Sequence, residues 1–297
     1  MAITHQGLNL AGGAYTPTIW SKKMVKKFYA GSVCNQICNT DWQGEILGKG
    51  NAVEIRQRPD VAVNPTQENM KINWQDIIDI KQTLTIDYAF DAAVKLGNID
   101  MHQMDINLQA ELVDEIANRL RLVVETTILG AAYSSAATKL VTSNTGGAIV
   151  AFGTATNPGK VFAAAQAFLS VAAEPCPTED RWILIHPVMK QYLIQETFNY
   201  ALNAGLDKGA MQAGYVAYLA GFHVYESPLV TGLGTSASKY NAMAGHSTGI
   251  TMAVQFTQFD VDVPLQDYYG KGIRAQNCFG YKVIKPTSLL WLETQIS

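Results

Sequence analysis

Residues 84–131 constrain the fold more than any other part of the chain. "LTIDYAFDAAVKLGNIDMHQ" (84–103) begins with alternating apolar and polar residues, the period of a strand with one covered face. It ends at Asp100, with Gln103 three residues on, the spacing of a capping box. Beyond it Met104, Leu108, Leu112, Ile116, Leu120, Val123 and Thr127 recur every three or four residues, which predicts a helix. The acids Asp105, Glu111, Asp114 and Glu115 crowd its first half and Arg119 and Arg121 follow, an order that suits the helix dipole. Over about 101–131 this helix is on the order of 45 Å long. A strand feeding one helix of that length reads as a structural spine rather than a catalytic scaffold.

Upstream, residues 1–16 are small and polar and read as an arm that does not fold by itself. In "TPTIWSKKMVKKF", Lys22, Lys23, Lys26 and Lys27 fall on one side of a short helical pattern. They form either a solvated face or a contact for a polyanion or a neighbouring subunit. "WQGEILGKGNAVEIRQRP" reads as a strand start punctuated by glycines, and "WQDIIDIKQTLTIDYAF" carries an extended chain back. Between them, 59–73 is turn-rich, with Pro59 and Pro65. Residues 50–86 therefore read as a long two-stranded excursion with a loose tip. A lone hairpin is marginal in water, so this one needs another surface to lie on.

Downstream, 134–157 is a Ser/Thr/Gly/Ala-rich junction. A helix follows in "NPGKVFAAAQAFLSVAAE", with Asn157 as cap and Pro158 at the first position, where its missing N–H is no loss. "RWILIHP" reads as a buried strand, "PVMKQYLIQETFNY" as a helix and "GFHVYES" as part of another strand. This alternation predicts a compact α+β domain over about 155–262. The C-terminal stretch reads as two strands hinged at Gly280, ending in a turn at Pro286.

The search for chemistry selects little. Cys34 and Cys38 have no matching Cys or His pair nearby, and zinc takes four ligands. With Cys176 and Cys278 they make no disulfide framework in 297 residues. The five histidines are scattered, and His186, before Pro187, reads as a satisfied structural residue rather than a base. Phosphate-loop, serine-hydrolase and zinc-protease motifs are lacking. Asp76, Asp79, Asp87 and Asp91 read as solvent-side alternation, and nothing in their spacing selects them as a paired acid/base site. No cofactor is expected. Net charge is −3, so composition does not favour nucleic acid, although the first 30 residues hold four Lys and no acid. No apolar run reaches the length that spans a bilayer, and the N-terminus lacks a secretory pattern. Charged residues are only 16% against 48% apolar, the balance of a chain that covers much of its surface with other chains.

These segments, in this order, carry a resemblance. "PTIWS" (17–21), "GEILGKGNAVEI" (44–55), the 84–103 strand and cap, "RWILIHPVMKQYL" and "GFHVYES" together resemble the major capsid protein of tailed double-stranded-DNA bacteriophages, whose fold is shared with herpesvirus shell floors. The resemblance runs over nearly the whole chain and rests on order and spacing more than on any one motif. It implies an α+β fold with an N-terminal arm (1–45), an extended loop (46–86) and a peripheral domain (87–154) with its spine helix. An axial domain (155–262) and C-terminal strands returning to the peripheral domain (263–297) complete it.

The resemblance also implies a function. Copies would assemble as pentamers and hexamers into an icosahedral head around the genome, in the virion, after assembly in the host cytoplasm. A separate scaffolding protein, a portal and a cement or decoration protein would be partners, with no membrane involved. Lys22, Lys23, Lys26 and Lys27 would make non-specific contact with packaged DNA. Lys–Asn cross-linking occurs in one branch of the family; Lys71 and Asn69 lie near the hairpin tip, and cross-linking is not expected here. An encapsulin-like compartment is the alternative on the same fold. A soluble α+β enzyme would need a clustered catalytic set, and a tail-tube or neck protein would form rings or tubes.

Overall fold

The computed structural model describes residues 29–46, 50–66, 68, 71–72, 74–98, 108–140, 150–151, 158–172, 174–204, 218–230, 239–266 and 269–295. Two sheets and a long helix meet at one core. The first sheet has three antiparallel strands in the order β10–β11–β3: β3 (Tyr88–Gly97), β10 (Ile250–Pro264) and central β11 (Gly270–Val283). The long helix α3 (Leu108–Ala131) packs on it. Leu96, Ile273 and Ala275 of the sheet meet Ile116 and Leu120 of the helix. Strand β3 alternates between exposed and half-buried residues along its first eight positions, as a strand with one covered face must.

The second sheet is mixed: β4 (Thr138–Leu140), β12 (Leu289–Gln295), β9 (Lys239–His246), β6 (Arg181–Ile185), β8 (Phe222–Glu226) and β7 (Tyr218–Leu219) in that order, with β5 (Val150–Ala151) also on β12. All five residues of β6 are buried because both faces of this sheet are covered. Ile183 and Ile185 face helices α4 (Pro158–Val171) and α5 (Pro187–Ala204) through Phe162, Leu169, Met189 and Leu193. Trp182 and Leu184 point the other way, into a second cluster with Cys34, Ile37, Ile128, Leu129, Met252 and Phe279. That cluster joins the two sheets and the C-terminal end of α3.

Several expectations change here. Gly44 lies in a helical turn and does not open a strand. Gln43–Ile46 is a short helix, α2, and the strand β1 (Ala52–Gln57) begins after Gly50, whose φ of +100° suits a residue without Cβ. The terminal segment 263–297 does not return as one unit. Strand β11 joins the three-stranded sheet, whereas β12 lies between β9 and β4 in the other sheet. Strand β10, inside the expected 155–262 domain, likewise belongs to the three-stranded sheet. Gly280 is no hinge. It lies within continuous β11, and a Cβ there would stand 2.0 Å from the Thr85 carbonyl oxygen. Close backbone approach, not bending, requires the glycine.

The buried face of α3 also drifts from the stripe read in sequence. Toward its C-terminal end the buried positions are Glu125, Ile128 and Leu129, not Val123 and Thr127. There the helix has left the sheet and faces the central cluster. Over its 24 described residues it is about 36 Å long. The proposed cap at Asp100 and Gln103, and Asn157 ahead of α4, lie outside the described residues.

Candidate functional site

The feature that the fold leaves unexplained is the hairpin. Strands β1 and β2 (Ile80–Thr85) pair antiparallel, from Ala52 opposite Thr85 to Gln57 opposite Ile80. Their root is anchored. Ile55 and Leu84 are buried with Ala253 and Ile284, and Trp42, Val53 and Ile86 close around them. The side-chain amides of Gln57 and Gln82 both donate to the Ile284 carbonyl, at 3.3 and 2.9 Å. Gln255 Nε2 donates to the Gly50 carbonyl at 2.8 Å.

Beyond Gln57 and Ile80 the anchoring ends. No strand or helix forms among the described residues from Arg58 to Asp79. Val61, Val63, Ile72, Trp74, Ile77 and Ile78 are all exposed there, Val63 at 94% and Trp74 at 87%. Scattered surface apolar residues are ordinary, but six on one projecting segment mark an interaction surface. Arg58, Asp60, Asp76 and Asp79 are interspersed and exposed. Asp76 and Asp79 therefore sit on the outer limb, outside any strand, while Asp87 follows β2 and Asp91 lies on β3. The four acids form no common site.

A second constellation ties the start of the described chain to α3. The Glu125 carboxylate is buried. It accepts from the Ser32 hydroxyl, from Val33 N–H at 3.1 Å and from Cys34 N–H at 3.2 Å. It thereby satisfies free N–H groups at the first turn of α1 (Cys34–Ile37). About three turns earlier on α3, the Tyr29 hydroxyl donates to Glu115, whose other oxygen pairs with Arg119 at 3.2 Å. The hydrogen bond to Glu115 raises the Tyr29 phenol above its usual value. Sequence reasoning missed Glu125. Its signal was present, since it falls three and four residues before Ile128 and Leu129, a carboxylate at buried-face spacing.

The remaining candidates have local, structural partners. His186 Nδ1 accepts from Val188 N–H at 3.3 Å at the start of α5, and its ring stacks on Tyr240 at 4.0 Å. His246 Nδ1 accepts from Thr248 N–H at 3.2 Å. Burial holds both imidazoles below the ordinary histidine value. Cys34 and Cys38 are buried in the central cluster, and a hydrogen bond between them, with burial, pushes the Cys34 thiol up. Arg181 is buried and donates to the Pro177 carbonyl at 2.7 Å and to Ser170 Oγ at 3.1 Å, beside the end of α4. A depression of about 430 Å³ on the three-stranded sheet is lined by Asp91, Ala93, Gln258, Asp260, Arg274 and Gln276. Its Asp260–Arg274 pair, at 2.8 Å, is largely solvent-facing. Among the described residues no three His, Cys, Asp or Glu side chains group to hold a metal. Lys22, Lys23, Lys26 and Lys27 lie outside the described residues.

No protein-family model matches the chain, and no curated protein matches it in sequence. Solved structures do match in backbone. A chain of Mycobacterium phage Che8 aligns with a TM-score of 0.77 at 22% identity, over 95% of this chain and 98% of that one. The capsid of the cyanophage P-SCSP1u aligns at 0.74 and 13% identity, over 95% and 93%. The capsid asymmetric unit of cyanophage Pam1 aligns at 0.70 and 12%, over 95% and 97%. The fold is the phage capsid fold. The α+β architecture expected from sequence is therefore present over nearly the whole chain, and the exposed hairpin belongs to a fold seen in capsid shells.

Proposed function

We propose that this chain is the structural subunit of the head of a tailed double-stranded-DNA phage, and not an enzyme. Copies join as pentamers and hexamers into an icosahedral shell around the genome. The observation that carries this reading is the hairpin tip, which presents Trp74, Ile77 and Ile78 to solvent on a limb that the rest of the described chain does not cover. Symmetric self-association gives such a surface a partner in every copy. Burying these three side chains supplies on the order of 5 kcal/mol before the costs of association. The capsid fold supports the same reading.

The division of labour follows the two sheets. The three-stranded sheet and α3 form the peripheral part, the mixed sheet with α4 and α5 the axial part, and the hairpin lies across the adjacent subunit. Of the expected arm, 1–45, Val33, Cys34, Ile37 and Cys38 are packed into the central core; the residues ahead of them act as the arm, in which Lys22, Lys23, Lys26 and Lys27 meet packaged DNA without sequence preference and with salt sensitivity. A separate scaffolding protein, a portal and a cement protein complete the list of partners. The subunit is assembled in the host cytoplasm and resides in the virion. Among the described residues no helix is long and apolar enough to cross a membrane.

The test is a triple substitution, Trp74→Asp, Ile77→Asp and Ile78→Asp. The hairpin root and both sheets are untouched, so the unassembled chain should melt as the wild type does. Light scattering should show no particles. Particles forming as readily from the variant would remove the tip from the assembly surface and contradict the reading.

A further inference from the structure

The outer part of the hairpin is held by a side chain where a backbone ladder is missing. If the register that sets Gln57 opposite Ile80 is continued five residues outward on each limb, Ala62 stands opposite Gln75. At that position Ala62 N–H donates to Gln75 Oε1 at 3.0 Å, and Gln75 Nε2 donates to the Ala62 carbonyl at 2.6 Å. The carboxamide thus makes the two-point exchange that a facing peptide group makes in an antiparallel pair. Between this tie and the last ladder pair, residues 58–61 and 76–79 are in no strand. Gln75 is itself exposed and lies between exposed Trp74 and the exposed pair Ile77 and Ile78.

We infer that Gln75 is a positioning residue for assembly: its carboxamide presets the two limbs of the hairpin tip as one unit, so that the apolar residues beside it meet a second copy already arranged. This inference rests on the shell reading above and assigns one residue within its assembly surface. The physical argument is preorganisation. Extended limbs that move independently lose conformational freedom when they dock, and a tie made beforehand removes part of that loss. The tie forms readily because the ladder at 52–57 and 80–85 keeps the limbs close, so their effective concentration is high. Both hydrogen bonds are solvent-facing, so they add little to the stability of the folded chain while still setting limb geometry.

The experiment compares the wild-type chain with Gln75→Met, which keeps length and removes both hydrogen bonds, and with Gln75→Ala. Amide hydrogen exchange at Ala62 and the thermal midpoint are read on the unassembled chain. Particle formation is followed by light scattering at one protein concentration. The expected result is exchange at Ala62 a few-fold faster in both variants, an unchanged midpoint, and assembly slowed about ten-fold. Unchanged exchange at Ala62 overturns the inference, and so do variants that assemble at the wild-type rate. A wild-type chain that stays monomeric at high concentration and under macromolecular crowding overturns the shell reading and this inference with it, so the two failures are distinguishable.

Discussion

At the scale of residues, close approach and buried charge decide more than chemistry does. Gly280 is the sharpest case. Its backbone lies against Thr85 and Ile86, where β11 passes the root of the hairpin, and a Cβ would stand 2.0 Å from one carbonyl oxygen and 2.9 Å from its carbon. Those atoms are backbone and cannot swing aside. Gly280→Ala should therefore separate the hairpin root from β11 and destabilise the chain by about 3 kcal/mol or more. Urea unfolding would measure it, and a loss under about 1 kcal/mol would contradict the packing described. The aromatic ladder beside it points the same way. Tyr88 stacks on Phe279 and Tyr281 at 5.4 and 5.7 Å, and burial with a hydrogen bond to Tyr88 pushes the Tyr281 phenol up to about 12. Each aromatic therefore fixes the local register of β3 on β11.

At the scale of elements, the chain is legible where one physical rule acts alone. Strand β3 and helix α3 were readable because each has a covered and an open face, so hydrophobic period reports secondary structure directly. Strand β6 was readable as a short apolar run. The terminal strand β12 was not, because "LLWLETQ" would pair as well in either sheet, and period carries no information about partner. The hairpin tip was readable as an unsupported excursion, but the tie at Gln75 was not: it depends on a register that only the β1–β2 ladder fixes. Glu125 illustrates a third case, a polar side chain at a core position. Its carboxylate holds the first turn of α1, so Glu125→Gln replaces one acceptor oxygen with a donor facing other donors. The expected loss is about 1–3 kcal/mol, and it should be local. Amide exchange at Val33 and Cys34 should rise while exchange in β6 stays as it was. Uniform change across the chain, or none, would contradict the assignment of Glu125 as the anchor of this segment.

At the scale of the whole molecule, the parts make sense together only if other copies are present. Two sheets are joined by the cluster around Trp182 and Phe279. The hairpin projects from that body with its largest apolar side chains bare. Low charge, a segment from Tyr29 to Cys34 pinned to α3 and an uncovered tip have a common cause if the body is one unit of a closed shell. The most direct measurement is to express the chain alone, size it by light scattering and image it by negative stain. The account predicts closed shells, or capsomers of five and six copies, with shell diameter setting the triangulation number. A chain that remained monomeric at high concentration, and also under macromolecular crowding, would contradict it.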